Sequence, residues 1–218
     1  MKNVLTFLGD LKQNNTREWF QDNKTRYLEA KNEFDNFIGE LIPKLSLIDN
    51  ELTGLEPKQC VFRIYRDVRF SKDKSPYKVN MGAAMTKGGR KSPYATYYFH
   101  VEPGNAFAGG GIWMPQGPVL KAMRQEVYYN VDEFKKIIGS AGFKKYFNGI
   151  DGEMLKRPPR DFPADFPDIE LLMYKSYITG TKIDDSILDS DGLQSKLLDI
   201  FKSLYPFNSF INRALADV

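Results

Sequence analysis

The apolar residues between positions 27 and 45 recur at intervals of three and four, which is the period of an α-helix. The stripe consists of Tyr27, Phe34, Ile38, Leu41 and Leu45, with Lys31 in the same register. This pattern predicts an amphipathic helix of roughly 20 residues. Pro43 is expected to end the helix or bend its last turn, because proline removes a helical N–H donor and crowds the preceding turn.

From residue 61 the period changes to alternation, which predicts a β-strand over residues 61–70. One face of this strand is mostly apolar, interrupted by Arg66, and the other is polar, as in an antiparallel sheet over a core. Further strands are predicted over residues 77–83, 94–101 and 106–113, with turn residues between them. Because short turns connect consecutive strands, the sheet is expected to be a meander.

Three consecutive glycines, Gly109, Gly110 and Gly111, lie inside the last of these strands. Glycine weakens a strand and marks a bulge or a close approach of another group to the backbone. The run does not fit a nucleotide-binding glycine pattern, since neither a Lys-Ser/Thr pair nor a helix follows it directly. The alternative is a backbone surface that admits a ligand.

The rest of the chain predicts helices after Pro118, from Asp132, over residues 169–177 and 193–204, and after Pro206. The proline-rich stretch 157–167 is expected to be irregular. The predicted fold class is therefore α+β: an antiparallel sheet, roughly residues 60–114, packed by N-terminal and C-terminal helices. No linker or repeat divides the sequence, so residues 1–218 are predicted to form a single globular domain.

The composition is that of a globular protein, with 42% hydrophobic and 27% charged residues. One cysteine, Cys60, excludes an intramolecular disulfide, and a single histidine, His100, leaves too few ligands for a structural zinc site. No metal site is predicted and no pattern identifies a cofactor. The sequence has no apolar run of about 18 residues and no signal-peptide pattern, so a cytoplasmic location away from membranes is expected.

The positive charge is concentrated in residues 63–78, which we call the basic segment and predict to form a β-hairpin. Six cations and two aspartates give this segment a net charge of +4, whereas the whole chain has a net charge of +3. Guanidinium groups bind phosphate or carboxylate through paired hydrogen bonds, and lysine acts as a point charge. The predicted anion-binding residues are Arg63, Arg69, Lys72, Lys74, Tyr77 and Lys78.

Three functional classes fit this segment. The first is a protein that binds a small phosphorylated or other anionic ligand; single-stranded nucleic acid is a less favoured partner, because the net charge is small. The second is an enzyme acting on an anionic substrate, with Asp67, Asp73 or His100 as the acid or base, which requires these groups to converge in a pocket. The third is a structural or interaction protein, in which Asp67 and Asp73 pair with the cations and brace the fold.

The basic segment runs Arg-Ile-Tyr-Arg-Asp-Val-Arg-Phe-Ser-Lys-Asp-Lys-Ser-Pro-Tyr-Lys. It resembles the signature of a family of conserved hypothetical proteins catalogued as domain of unknown function 2461. Similar stretches occur in the same order at residues 14–20, 109–113, 155–158 and 206–215. The resemblance spans almost the whole chain, and it implies no activity, cofactor or catalytic residue.

Overall fold

The computed structural model describes residues 1–216, in which helices pack against a four-stranded sheet. The α-helices are α1 (Lys2–Gln13), α2 (Arg17–Asp22), α3 (Lys24–Ser46), α4 (Pro57–Cys60), α5 (Gly117–Tyr129), α6 (Val131–Gly139), α7 (Ala141–Lys144), α8 (Asp185–Leu188) and α9 (Leu193–Arg213). The strands are β1 (Met81–Met85), β2 (Thr96–Val101), β3 (Phe107–Ile112) and β4 (Tyr177–Lys182). Short 3₁₀ helices occupy Asn50–Leu52 and Ile169–Leu172.

The sheet is an antiparallel meander with the strand order β1-β2-β3-β4. Helices pack against it, which confirms the predicted α+β class. On its helical face, Phe99 of β2 stacks on Phe34 of α3 at 6.1 Å between ring centroids. Tyr97 meets Phe201 of α9 edge to face at 5.5 Å. These aromatic contacts anchor the sheet because large rings bury much apolar area.

The predicted strand over residues 61–70 is wrong. This stretch makes only isolated antiparallel bridges, Val61 with Ala83 and Tyr65 with Tyr77. The alternation of apolar and polar residues in this stretch does not produce a strand that faces the core, because Phe62 and Phe70 are exposed. The fourth strand is instead β4, for which the sequence predicts no strand. The helix predicted over residues 169–177 is confined to the short 3₁₀ helix Ile169–Leu172. The glycines of β3 have no side chains, so the backbone of β4 can approach β3 closely and pair with it.

Pro43 and Pro206 both lie inside helices, so Pro43 does not end α3 and the predicted helix boundary at Pro206 is wrong. Helix α3 continues for three residues beyond Pro43, because a proline in the last turn interrupts only one backbone hydrogen bond. The two predicted C-terminal helices form one helix, α9, with Pro206 in its interior. Its buried face, which includes Leu204 and Phe207, holds the helix together across the proline. Residues 157–167 are irregular, as predicted.

Side chains alternate between the two faces of β2, and the second face carries the cavity described below. Thr96, Tyr98 and His100 point away from α3 and α9, together with Gly82 of β1 and Gly109 of β3.

Over residues 1–216, none of the helices has both the length and the apolar composition needed to cross a membrane.

Candidate functional site: a cationic cavity over the open face of the sheet

A cavity of about 910 Å³ lies over the sheet face opposite the main helical layer. Its floor is formed by the four strands and is mostly backbone and small side chains, including Gly82, Ala84, Gly109 and Gly111. Its walls come from the basic segment, from the turn around Arg90 and from the stretch after β3 that contains Trp113. A cavity of this size is typical of small-ligand sites.

The floor is bare because β3 tolerates no side chain at its glycines. A Cβ atom at Gly109 would lie 2.1 Å from the Thr179 carbonyl oxygen, and one at Gly110 would lie 1.9 Å from that of Thr96. Gly111 also has a positive φ of 101°, which disfavours other residues. The predicted close backbone approach is therefore confirmed: the neighbouring strands themselves make it. The same glycines leave the cavity floor flat.

Four cations line the cavity: Arg63, Lys78, Arg90 and Lys91. No carboxylate is among the lining residues that the structure describes, and within residues 1–216 none of the four cations forms an ion pair. The Arg90 guanidinium donates to the Lys58 carbonyl oxygen at 2.7 Å, which holds it in place without neutralising it. Burial and the nearby Arg63 charge lower the pKa of Lys78.

Phe62 brings two of these cations together. The Lys78 Nζ atom is 5.3 Å from the centre of the Phe62 ring, and the Arg90 Cζ atom is 6.0 Å from it. Both separations fit cation–π contacts. The Phe62 ring also meets Tyr98 edge to face, at 6.3 Å between centroids. The cationic side of the cavity is thus directly beside the aromatic residue that projects from β2.

Tyr98 belongs to a hydrogen-bonded series with His100 and Glu102. The Tyr98 hydroxyl is 3.1 Å from His100 Nδ1, and His100 Nε2 is 3.3 Å from Glu102 Oε2. Phe107 stacks on the imidazole at 4.7 Å between centroids, and Asn105 Nδ2 donates to the same Glu102 oxygen at 3.3 Å. Burial lowers the pKa of His100, although the Glu102 hydrogen bond opposes this, and burial raises the pKa of Tyr98 to about 12.

Of the predicted anion-binding residues, the structure brings only Arg63 and Lys78 to this cavity. Arg69 donates to both carboxylate oxygens of Asp67, at 2.9 and 2.6 Å, on the exposed surface. Lys74 donates to the Val68 carbonyl oxygen, and Lys72 is exposed. Tyr77 is buried, with its ring stacked on Phe20 at 3.9 Å, so its role is in packing.

The three predicted acid or base residues do not converge. Asp73 pairs with Arg66 and accepts from the Ser75 backbone N–H at 2.9 Å and hydroxyl at 2.7 Å. These bonds, with Ser75 contributing most, lower the pKa of Asp73, and the Arg69 guanidinium lowers that of Asp67. Asp73 lines a smaller cavity of about 270 Å³. Neither aspartate lines the large cavity, whereas His100 reaches it through Tyr98.

Sequence reasoning missed Arg90, Lys91, Trp113, Tyr98 and Glu102. The residues Tyr98, His100 and Glu102 are spaced by two, and that spacing was the available signal for a shared strand face. Arg90 and Lys91 lie in a turn distant in sequence from the basic segment, so no local pattern joined them to it.

Cys60 is buried, which raises its pKa to about 12 and keeps the thiol protonated. Residues 1–216 contain no cluster of three or more His, Cys, Asp or Glu side chains suited to a metal ion.

The fold and the cavity define an α+β protein with a one-sided antiparallel meander whose open face is bordered by four cations. Residues 3–210 match the family described as "Conserved hypothetical protein (DUF2461)". The match covers nearly the whole chain, so the protein belongs to this family. Comparison with curated proteins and with solved structures gave no match.

Proposed function

We propose that the protein binds a small phosphorylated or other anionic ligand in the cavity over the sheet. The observation that supports this proposal is the set of four lining cations, Arg63, Lys78, Arg90 and Lys91, without a lining carboxylate in the described part of the chain. Arg69, Lys72, Lys74 and Tyr77 are left out of the site, because other contacts or their position keep them from the cavity.

Electrostatics favours an anion there. Like charges gathered in a concave site raise one another's free energy, and a bound anion relieves this repulsion. Burial lowers the pKa of Lys78, and the nearby Arg63 charge adds to this effect. A phosphate or carboxylate would accept hydrogen bonds from arginine and lysine, and such charge-assisted bonds are stronger than neutral ones.

The floor favours a ligand with a flat apolar part. Gly109 and Gly111 offer a surface without side chains, and Phe62, Tyr98 and Trp113 lie around it. Aromatic side chains beside a flat floor suit stacking or edge contact with a planar ring. We therefore favour a small anion that carries an aromatic ring over a nucleic-acid strand, which needs a longer cationic track.

Phenyl phosphate tests this proposal, because it joins a planar ring to a phosphate group. Trp113 lines the cavity and is 70% exposed, so its fluorescence reports occupancy. The protein has two tryptophans, and a Trp19→Phe variant leaves Trp113 as the only one. We expect saturable fluorescence change with phenyl phosphate and a raised unfolding midpoint, because a ligand at about 100 times its Kd stabilises by roughly 2.7 kcal/mol.

Benzyl alcohol and sodium chloride serve as the neutral and ionic controls, and a short single-stranded oligonucleotide tests the less favoured partner. Nucleic-acid binding should weaken steeply with salt, because phosphate contacts release counterions along the strand. Tight oligonucleotide binding with no response to phenyl phosphate would favour the nucleic-acid alternative. A flat response to every probe would reject anion binding in this cavity.

A further inference from the structure

The hydrogen-bonded series on the open face of the sheet ends at the cavity. Tyr98, His100 and Glu102 are spaced by two residues along β2 and its continuation, so they share one face. A Cβ atom at Gly82 would lie 2.7 Å from the Tyr98 hydroxyl oxygen, which places that hydroxyl directly above the bare glycine. Tyr98 and Gly82 both line the cavity. The tyrosine oxygen is therefore the member of the series that a ligand would meet.

The direction of the hydrogen bonds follows from their chemistry. A carboxylate only accepts, so His100 Nε2 carries the proton donated to Glu102. His100 Nδ1 then holds a lone pair and accepts from the Tyr98 hydroxyl. This order of hydroxyl, imidazole and carboxylate is the arrangement by which proteins activate an oxygen nucleophile. The burial that lowers the pKa of His100 keeps the imidazole neutral at pH 7 and able to accept that proton.

We infer that Tyr98 is an oxygen nucleophile that attacks an electrophilic phosphoryl or acyl centre of an anionic ester, with His100 as its base and Glu102 as the positioning residue. A bond forms between the Tyr98 oxygen and the attacked centre, while the ester bond to the alcohol breaks. The Tyr98 proton passes to His100 Nδ1 and then to the departing alkoxide. Water afterwards attacks the tyrosyl ester, returns the hydrogen to Tyr98 and releases the acid.

The cations would assist by stabilising negative charge at the attacked group. Lys78 and Arg90 lie beside Phe62, whose ring contacts Tyr98. Burial lowers the pKa of His100, and the Lys78 charge adds to this effect. Fixed cations beside a reacting centre favour a transition state in which charge builds up. The role of the cations rests on the proposed function, because it requires an anionic group bound in the cavity. The activation of Tyr98 by His100 is independent of the proposed function.

Two sulfonyl fluorides test the reactivity of Tyr98 in the full chain: anionic 4-(fluorosulfonyl)benzoate and neutral benzenesulfonyl fluoride. In either reaction an O–S bond forms at tyrosine, the S–F bond breaks, and the phenol proton leaves through His100 to the buffer. Peptide mapping by mass spectrometry locates the label among the 12 tyrosines. Tyr129, which is 75% exposed, is the internal reference. Burial raises the pKa of Tyr98 to about 12, so the hydroxyl reacts only as His100 removes its proton during the attack. With that general-base assistance we expect Tyr98 to react on the order of 10²-fold faster than Tyr129.

Four variants separate an activated tyrosine from one that is merely hydrogen-bonded. Tyr98→Phe should abolish the fast labelling, and His100→Asn and Glu102→Gln should slow it while labelling of Tyr129 stays unchanged. Gly82→Ala keeps all three side chains but forces the Tyr98 hydroxyl to move, since the new methyl group would contact it. Thermal unfolding confirms that each variant is folded; if His100→Asn is not, Glu102→Gln and Gly82→Ala carry the test.

The outcomes distinguish this inference from the proposed function. Labelling of Tyr98 at the Tyr129 rate, or fast labelling that neither Glu102→Gln nor Gly82→Ala slows, would overturn the inference even if phenyl phosphate binds. If both probes label Tyr98 rapidly but Arg90→Ala slows neither, the nucleophile stands and the cationic contribution is rejected. We expect Arg90→Ala to slow the anionic probe alone.

Discussion

The side-chain amide of Asn15 holds the backbone of Tyr77 through two hydrogen bonds. Asn15 Nδ2 donates to the Tyr77 carbonyl oxygen at 3.0 Å, and the Tyr77 N–H donates to Asn15 Oδ1 at 3.2 Å. The Tyr77 ring stacks on Phe20 of α2. The N-terminal helices thereby fix one arm of the basic segment, immediately before the cavity residue Lys78.

Replacing Asn15 with Ala should destabilise the protein, because it removes both hydrogen-bond partners of the Tyr77 backbone. A buried donor or acceptor left unpaired costs about 1–3 kcal/mol. In a chain of this size each 1 kcal/mol lowers the unfolding midpoint by about 2–4 °C. Asn14→Ala is the matched control, since the Asn14 amide only caps the exposed end of its own helix. Equal midpoints for the two variants would contradict the role assigned to Asn15.

Arg63→Ala and Lys78→Met should each weaken phenyl phosphate binding by about tenfold or more, which corresponds to about 1.4 kcal/mol per lost charged contact. The control is Arg69→Ala, which makes the same charge change in the same segment but outside the cavity. Titration of Trp113 fluorescence measures the three affinities. Similar losses in all three variants would show that net charge, and not the cavity, attracts the ligand.

His100 should make the protein less stable as the pH falls below about 6.5, the ordinary pKa of histidine. Its folded-state pKa is lowered, so the unfolded chain binds the proton more readily and protonation favours unfolding. The contribution is fully present above the unfolded pKa and is lost as the pH falls through it toward the folded pKa. Tyr98, Glu102 and Lys78 are the titratable groups that interact with the imidazole.

Urea unfolding between pH 5 and pH 8, within the window around that ordinary histidine value, measures the effect. Because His100 is the only histidine, the difference between wild type and His100→Asn isolates its titration. The wild type should lose more stability than the variant on acidification. Parallel pH curves for the two proteins would show that burial does not perturb this imidazole.

Gly110→Ala should be strongly destabilising, by about 3 kcal/mol or more, because the new methyl group would overlap rigid backbone. It would lie 1.9 Å from the Thr96 carbonyl oxygen and 2.7 Å from Leu204 Cδ2. Gly9→Ala in α1 is the control, since no atom lies within 4 Å of its Cβ position. That change should stabilise the helix by up to about 1 kcal/mol. Tolerance of alanine at position 110 would disprove the close strand approach.

The sequence predicted the long helix α3, the α+β class and the meander, because these depend on local periodicity and short connections. The apolar stripe of α3 recurs at the helical period, and strands β1, β2 and β3 follow one another through turns marked by glycine and proline. The glycine run of β3 also indicated a close backbone approach, because glycine inside a strand weakens it unless another group must come close.

Only the tertiary structure decided which segment completes the sheet and which charges share a cavity. Residues 61–70 and 177–182 both contain β-favouring side chains, but hydrogen-bonding partners far along the chain select β4. Arg63 and Arg90 lie on opposite sides of β1 in the sequence, and they line one cavity only because both border the same sheet face. Arg69, close to Arg63, points elsewhere because Asp67 pairs with it. Periodicity determines which face a side chain occupies, whereas long-range packing determines what lies opposite that face.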